Sequence, residues 1–165
     1  MSVRPNAAEM RSLPPFCAVR LNGTQGSPEW NSWRSQIGEN FLDIHHYCFA
    51  LVAVNRYWGA RNPADRGFYL QRALNNFNYI IEAAKPDFTL RADVYSDRGN
   101  LFKLMGKPGD AVKDFNQALS INPRNAKPYL QLADLYMGSK DTTRALETGQ
   151  GEIYRPGKSP LPELY

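Results

Sequence analysis

Residues 92–125 read ADVYSDRGNLFKLMGKPGDAVKDFNQALSINPRN, and the sizes of the side chains along this stretch decide the fold. It covers most of two segments of helical period, Leu90 to Met105 and Pro108 to Ile121, parted by Gly106 and Lys107 before Pro108. That is the punctuation expected between two short antiparallel helices. Small residues stand at Gly99, Ala111 and Ala118, and bulky rings at Tyr95, Phe102 and Phe115. Small positions let paired helices approach closely while the rings fill the adjacent holes, so the pattern encodes a helix hairpin. Asn122 and Pro123 end it.

A second unit begins at Ala126 in the same phase, with Tyr129, Leu132, Ala133, Tyr136 and Ala145 at equivalent places; Gly149 then stands where Phe115 would recur. Upstream, RALNNFNYIIEAAKP places Ala73, Phe77 and Ile80 as Ala111, Phe115 and Ala118 are placed, with Pro86 one residue late. The unit at 92–125 resembles the tetratricopeptide repeat, matching its small and aromatic positions, its turn glycine and its closing proline. Arg98 departs from the usual leucine, which loosens the fit slightly. The resemblance is closest over 92–148, looser over 69–86 and absent before Asn40. The partner helix around His45 and His46 aligns only with an insertion of about a dozen residues near Trp58 to Phe68, longer than an ordinary hairpin loop. The resemblance implies an all-α fold, a right-handed superhelix of antiparallel helix hairpins with about six or seven helices.

Outside the repeats, residues 1–26 carry Pro5, Pro14, Pro15, Gly23 and Gly26 without a sustained period and read as an irregular arm. Ser27 followed by Pro28 has the form of a helix start, with Trp30, Trp33 and Ile37 on one face and an end near Gly38. A buried helix is expected from about Asn40 to Trp58, and another after Asn62 and Pro63 as far as Pro86. The last expected helix spans Lys140 to Gly149, and residues 151–165 form a Pro-rich tail that cannot be regular helix. The expected organisation is an arm at 1–26, a helical repeat domain at 27–150 (hairpin 40–86, repeat 92–125, terminal repeat 126–150) and the tail. Ending in Glu163, Leu164 and Tyr165, that tail is also a candidate occupant of the protein's own groove.

At 165 residues with 42% hydrophobic and 22% charged content, the composition is that of one ordinary globular domain. The formal charge of +4 comes from scattered basic residues, and the aromatics fall at core-like spacing, so nucleic acid is not the expected partner. The longest apolar run, Cys48 to Val54, is about a third of a membrane span. No secretory leader is visible, which makes the cytoplasm the default location. Cys17 and Cys48 are either two buried thiols or a bridge tying the arm to the first long helix. The bridge, with a leader trimmed away, would place the protein in the periplasm or outside the cell.

His45, His46 and Cys48 form the most reactive-looking cluster, and with Cys17 they invite a metal or Cys–His nucleophile reading. No fourth ligand is evident, and no CxxC, HExxH, phosphate loop or GxSxG occurs. Histidines hydrogen-bonded to the arm are the plainer account, and neither catalytic residues, a metal nor a cofactor is expected. The family resemblance instead implies a non-enzymatic scaffold or adaptor that binds another protein's peptide or extended segment in a concave groove. Carried over by position, the lining would be Asp93, Ser96, Asn100, Lys103 and Leu104, then Lys127, Leu130, Asp134, Met137 and Gly138. Asn100 and Lys127 are similar to parts of the clamp with which some such repeats hold a chaperone's terminal carboxylate, although Gln131 stands where that clamp has arginine. A structural or assembly factor of an envelope or secretion complex would share these features, and a metal-dependent enzyme using His45, His46 and Cys48 is a third reading.

Overall fold

Capping residues set most of the helix boundaries. Ser27 accepts the Trp30 amide at 3.2 Å and opens a helix at Pro28; Asn62 accepts the Asp65 amide at 2.8 Å and opens another at Pro63. In both, proline occupies the first helical position, where its missing N–H costs nothing. In a computed structural model the chain is described over residues 4–139. The described residues form eight α-helices and one 3-10 turn, with no strand among them. The helices are α1 (Ala7–Arg11), α2 (Pro15–Asn22), α3 (Pro28–Ile37), α4 (Ile44–Gly59), α5 (Pro63–Glu82), α6 (Arg91–Leu104), α7 (Pro108–Ile121) and α8 (Ala126–Gly138). The 3-10 turn, Glu39–Leu42, precedes α4.

The all-α class expected from the repeat is the class observed. Two compact units divide inside α6, the first ending at Val94 and the second starting at Tyr95. The expected helix at 140–149 and the tail at 151–165 lie outside the described residues.

The arm differs from expectation, because it is helical rather than irregular. Asn6 and Glu9 form a reciprocal capping box that starts α1, and Pro15 sits at the first position of α2 instead of breaking a helix. Glu9 also pairs with Arg56 on α4, at 2.7 and 2.9 Å. Arg20 on α2 donates twice to the Leu42 carbonyl, at 3.0 and 2.8 Å, with its guanidinium over the Trp30 ring.

The segment 40–58 is likewise not one helix. Gly38 takes a positive φ of 95°, and an added Cβ there would fall 2.5 Å from the Asp87 carbonyl oxygen, so the chain turns sharply before α4. Asp87 accepts the Glu39 amide, and Thr89 binds back to the Ile37 and Gln36 carbonyls. Asn40, fully buried, donates to the Ala83 carbonyl at 2.8 Å and accepts the Lys85 amide at 2.7 Å, satisfying the cap carbonyl of α5 and an amide of the turn that follows it.

α4 and α5 form a tight antiparallel pair, with His46 opposite Asn76 and Tyr79 at one end and Tyr57 opposite Arg66 at the other. The insertion expected near Trp58 to Phe68 is not a long loop. Only Ala60 to Asn62 connect the helices, and the extra residues lengthen α5 to 20 residues. Phe41, Ile44, Cys48, Phe77 and Ile80 are fully buried in this unit.

In the second unit Gly99 is the small residue the hairpin requires. A Cβ there would lie 2.7 Å from the Phe115 ring, so α6 and α7 approach across a glycine. Ala111, Phe115, Leu119, Tyr129 and Leu132 make a common core for α7 and α8, flanked by Phe102, Val112, Leu135 and Tyr136.

Candidate functional site

Two bridges join α6 to α8 within the second unit. Lys127 Nζ reaches Asp97 at 2.9 Å; Lys103 Nζ reaches Asp134 at 2.6 Å and donates to Gln131 Oε1 at 2.8 Å. On both helices the later residue meets the later residue, so α6 and α8 run parallel, as first helices of successive hairpins do. Asp97, Asn100 and Lys103 recur at helical spacing on α6, opposed by Lys127, Gln131 and Asp134 on α8. Asn100, half-buried, lies between the two bridges and makes no side-chain hydrogen bond among the described residues. Leu130 and Met137 add exposed apolar surface, at 46% and 56% exposure.

The residues expected to line a groove are therefore placed unequally. Lys103 with Asp134, and Lys127 through Asp97, are brought together by ion pairs. Leu104 is half-buried, while Asp93 is exposed on the first turn of α6 and Gly138 on the last of α8. Ser96 departs from the expected exposed lining: it is 2% exposed, and its hydroxyl has no hydrogen-bond partner among the described residues. Lys127 and Lys103 do not stand as unpaired cations awaiting a carboxylate, because each already faces an aspartate. Asp97 was not singled out from the sequence, although its offset of 30 from Lys127 nearly matches the repeat length, which was the available signal.

Arg98 was read as a loosening substitution, and the structure corrects this. Its guanidinium makes a two-pronged pair with Asp114 on α7, at 2.7 and 2.9 Å, and lies 5.5 Å from the ring centres of Tyr95 and Phe102. Burial pulls the Arg98 pKa down, but the Asp114 hydrogen bonds and charge outweigh it and leave the group above its ordinary value. An arginine in a leucine's place, with an aspartate one helix away on the same hairpin, could have announced the pair.

On the first unit, Cys17 and Cys48 are joined as a disulfide, with Cα atoms 5.8 Å apart and both residues fully buried. The bridge alternative is the one observed. It removes Cys48 as a thiolate, and with it the nucleophile and the sulfur ligand that the enzyme reading required. No three His, Cys, Asp or Glu residues among those described are placed to share a metal. Among the described residues the histidines do not bond the arm: His45 Nδ1 donates to the Leu42 carbonyl at 3.2 Å, and His46 Nδ1 donates to Asn76 Oδ1 at 2.9 Å while stacking on Tyr79. Burial, helped by the charges of His46 and Arg20, holds the His45 pKa below its ordinary value against the opposing Leu42 bond and Asp43.

A cleft of about 580 Å³ opens beside the α4–α5 turn, lined by Glu9, Arg56, Arg61, Asn62, Asp65 and Tyr69 among others. Glu9 is committed to Arg56 by an ion pair, and Asp65 accepts from the Asn62 side-chain amide. The cleft offers no general acid or base positioned for chemistry.

A helix hairpin followed by a helix parallel to its first is the geometry of a helical repeat. Residues 92–125 match the family model of the tetratricopeptide repeat, so the chain contains a repeat of that kind. No curated protein and no solved structure matches the chain. Proteins built on this repeat serve in general as protein–protein interaction scaffolds and are typically not enzymes.

Proposed function

We propose that the protein is a non-enzymatic scaffold that holds an extended segment of another protein against the α6–α8 face. The observation that carries this is Asn100, whose uncommitted amide lies between two ion pairs that fix the helices on either side. An asparagine amide offers one acceptor and two donor hydrogens, the complement of a peptide backbone's N–H and C=O. Leu130 and Met137 supply apolar contact for the segment's side chains. The Lys127–Asp97 and Lys103–Asp134 pairs favour a segment bound through its backbone over one anchored by a terminal carboxylate.

The test starts with affinity capture from native cells and follows with titration of the captured partner. Asn100→Ala together with Lys127→Ala is expected to weaken binding about tenfold, the loss of one to two hydrogen bonds, with helicity unchanged. Equal affinity in wild type and variant discards this face as the site.

The disulfide favours a second, compatible reading, a structural or assembly role in an oxidising compartment such as the cell envelope. Disulfides persist there and are rare where glutathione keeps thiols reduced. Thiol labelling of protein drawn from its native cells, before and after reduction, tests it; two free thiols before reduction rule it out.

A further inference from the structure

We propose that the tip of the α4–α5 hairpin docks on an anionic lipid surface. The tip is the connection Ala60 to Asn62 with the adjoining turns of both helices. Trp58, in the last turn of α4, is 63% exposed, the most exposed of the large hydrophobic residues described. Phe68, early in α5, is 44% exposed, and Tyr57 and Tyr69 are half-buried beside them.

Arg66 and Arg72 lie over two of these rings and Arg61 stands in the connection, and none of the three pairs with a carboxylate among the described residues. Elsewhere Arg34, Arg56 and Arg98 each hold one. Arg66 lies over Tyr57 and donates to the Ala60 carbonyl, and Arg72 lies over Phe68, so both are positioned without being neutralised. The one acid between residues 61 and 72, Asp65, is bonded to the Asn62 amide in the first turn of α5, where the helix N-terminus balances its charge. The tip therefore keeps a positive excess beside exposed aromatic surface.

Interfacial tryptophan and tyrosine with nearby arginine is the combination that settles at the headgroup level of an anionic leaflet. A second copy of the chain would bring the same positive charge against itself. A single-stranded nucleic acid stacks successive bases on several open rings, whereas guanidinium groups already lie over Tyr57 and Phe68 and leave Trp58 as the exposed ring without one.

The experiment is cosedimentation of the full chain with phosphatidylcholine vesicles, with and without phosphatidylglycerol. Binding is expected to the mixed vesicles and to fall with salt. Arg61→Gln, Arg66→Gln and Arg72→Gln combined should weaken it on the order of a hundredfold, at roughly fivefold for each charge removed near the surface. Trp58→Ala should weaken it about tenfold, reporting the inserted ring. All the changed side chains lie on the hairpin surface, and circular dichroism checks that helicity is retained. Equal sedimentation with neutral vesicles, no sedimentation with either, or variants that bind as wild type does would overturn the proposal. So would binding of a polyglutamate peptide or a single-stranded oligonucleotide without vesicle binding, which would assign the tip to that partner instead.

Discussion

Asp114 is only 5% exposed, so removing its partner Arg98 leaves a carboxylate inside the α6–α7 hairpin with no cation beside it. Arg98→Leu, although it restores the residue usual at this place in the repeat, is expected to destabilise the protein by about 3 kcal/mol, the cost of breaking a largely buried pair. Changing Asp114 to Leu as well should recover most of the loss, since two apolar side chains need no counter-charge. Urea denaturation of the two single variants and the double gives the answer, and an Arg98→Leu protein as stable as wild type would refute the account. At the same scale Gly99 shows why size outranks helix propensity: alanine is worth about 1 kcal/mol more than glycine in a helix, yet its Cβ would press on a fully buried phenylalanine ring.

At the scale of elements, α2 is fastened to the start of α4 through one backbone carbonyl. The Leu42 oxygen accepts two hydrogen bonds from Arg20 and one from His45, and His46 sits 4.3 Å from His45 ring to ring. A proton added to His45 meets Arg20 and His46, with Asp43 the opposing charge. Because its folded pKa lies below the ordinary 6.5, the unfolded chain takes up the proton first as pH falls. Stability is then full above pH 6.5 and declines as pH drops below it toward the folded value. Thermal melts from neutral pH into mild acid should show this decline, and His45→Gln should flatten it; an unchanged slope in the variant would remove His45 as its source. Glu9, held low by its hydrogen bonds to Arg56 against the opposing effect of burial, stabilises the arm above its ordinary value of 4.5 and ceases to do so only at lower pH. The two effects thus separate along the pH axis.

For the molecule as a whole, the cystine closes a loop across 31 residues of sequence, spanning α3 and the 3-10 turn. Cys17→Ala with Cys48→Ala should lower stability by about 3 kcal/mol, chiefly because the unfolded chain is no longer constrained. Hydrogen exchange should find the loss in α2 and α4; protection there equal to that of wild type would count against it. Much of this architecture was legible in the sequence. Caps at Ser27 and Asn62, and the spacing of Gly99, Ala111 and Phe115, act through neighbours a few residues away, so local chemistry suffices to read them. The arm departs from its sequence expectation because a proline such as Pro15, at the first position, starts a helix as readily as it stops one. The α6 and α8 positions of the candidate face followed from the repeat length, but their state did not. Whether Lys127 and Lys103 stand free or paired, whether Ser96 faces solvent, and whether Cys17 meets Cys48 depend on distances between atoms tens of residues apart. The sequence by itself determined where helices begin and end and which side chains pack, because those are short-range effects of backbone geometry and size. Only the tertiary structure decided which charges cancel and which thiols meet, because Coulomb attraction and covalent bonding act through space that the chain order does not specify.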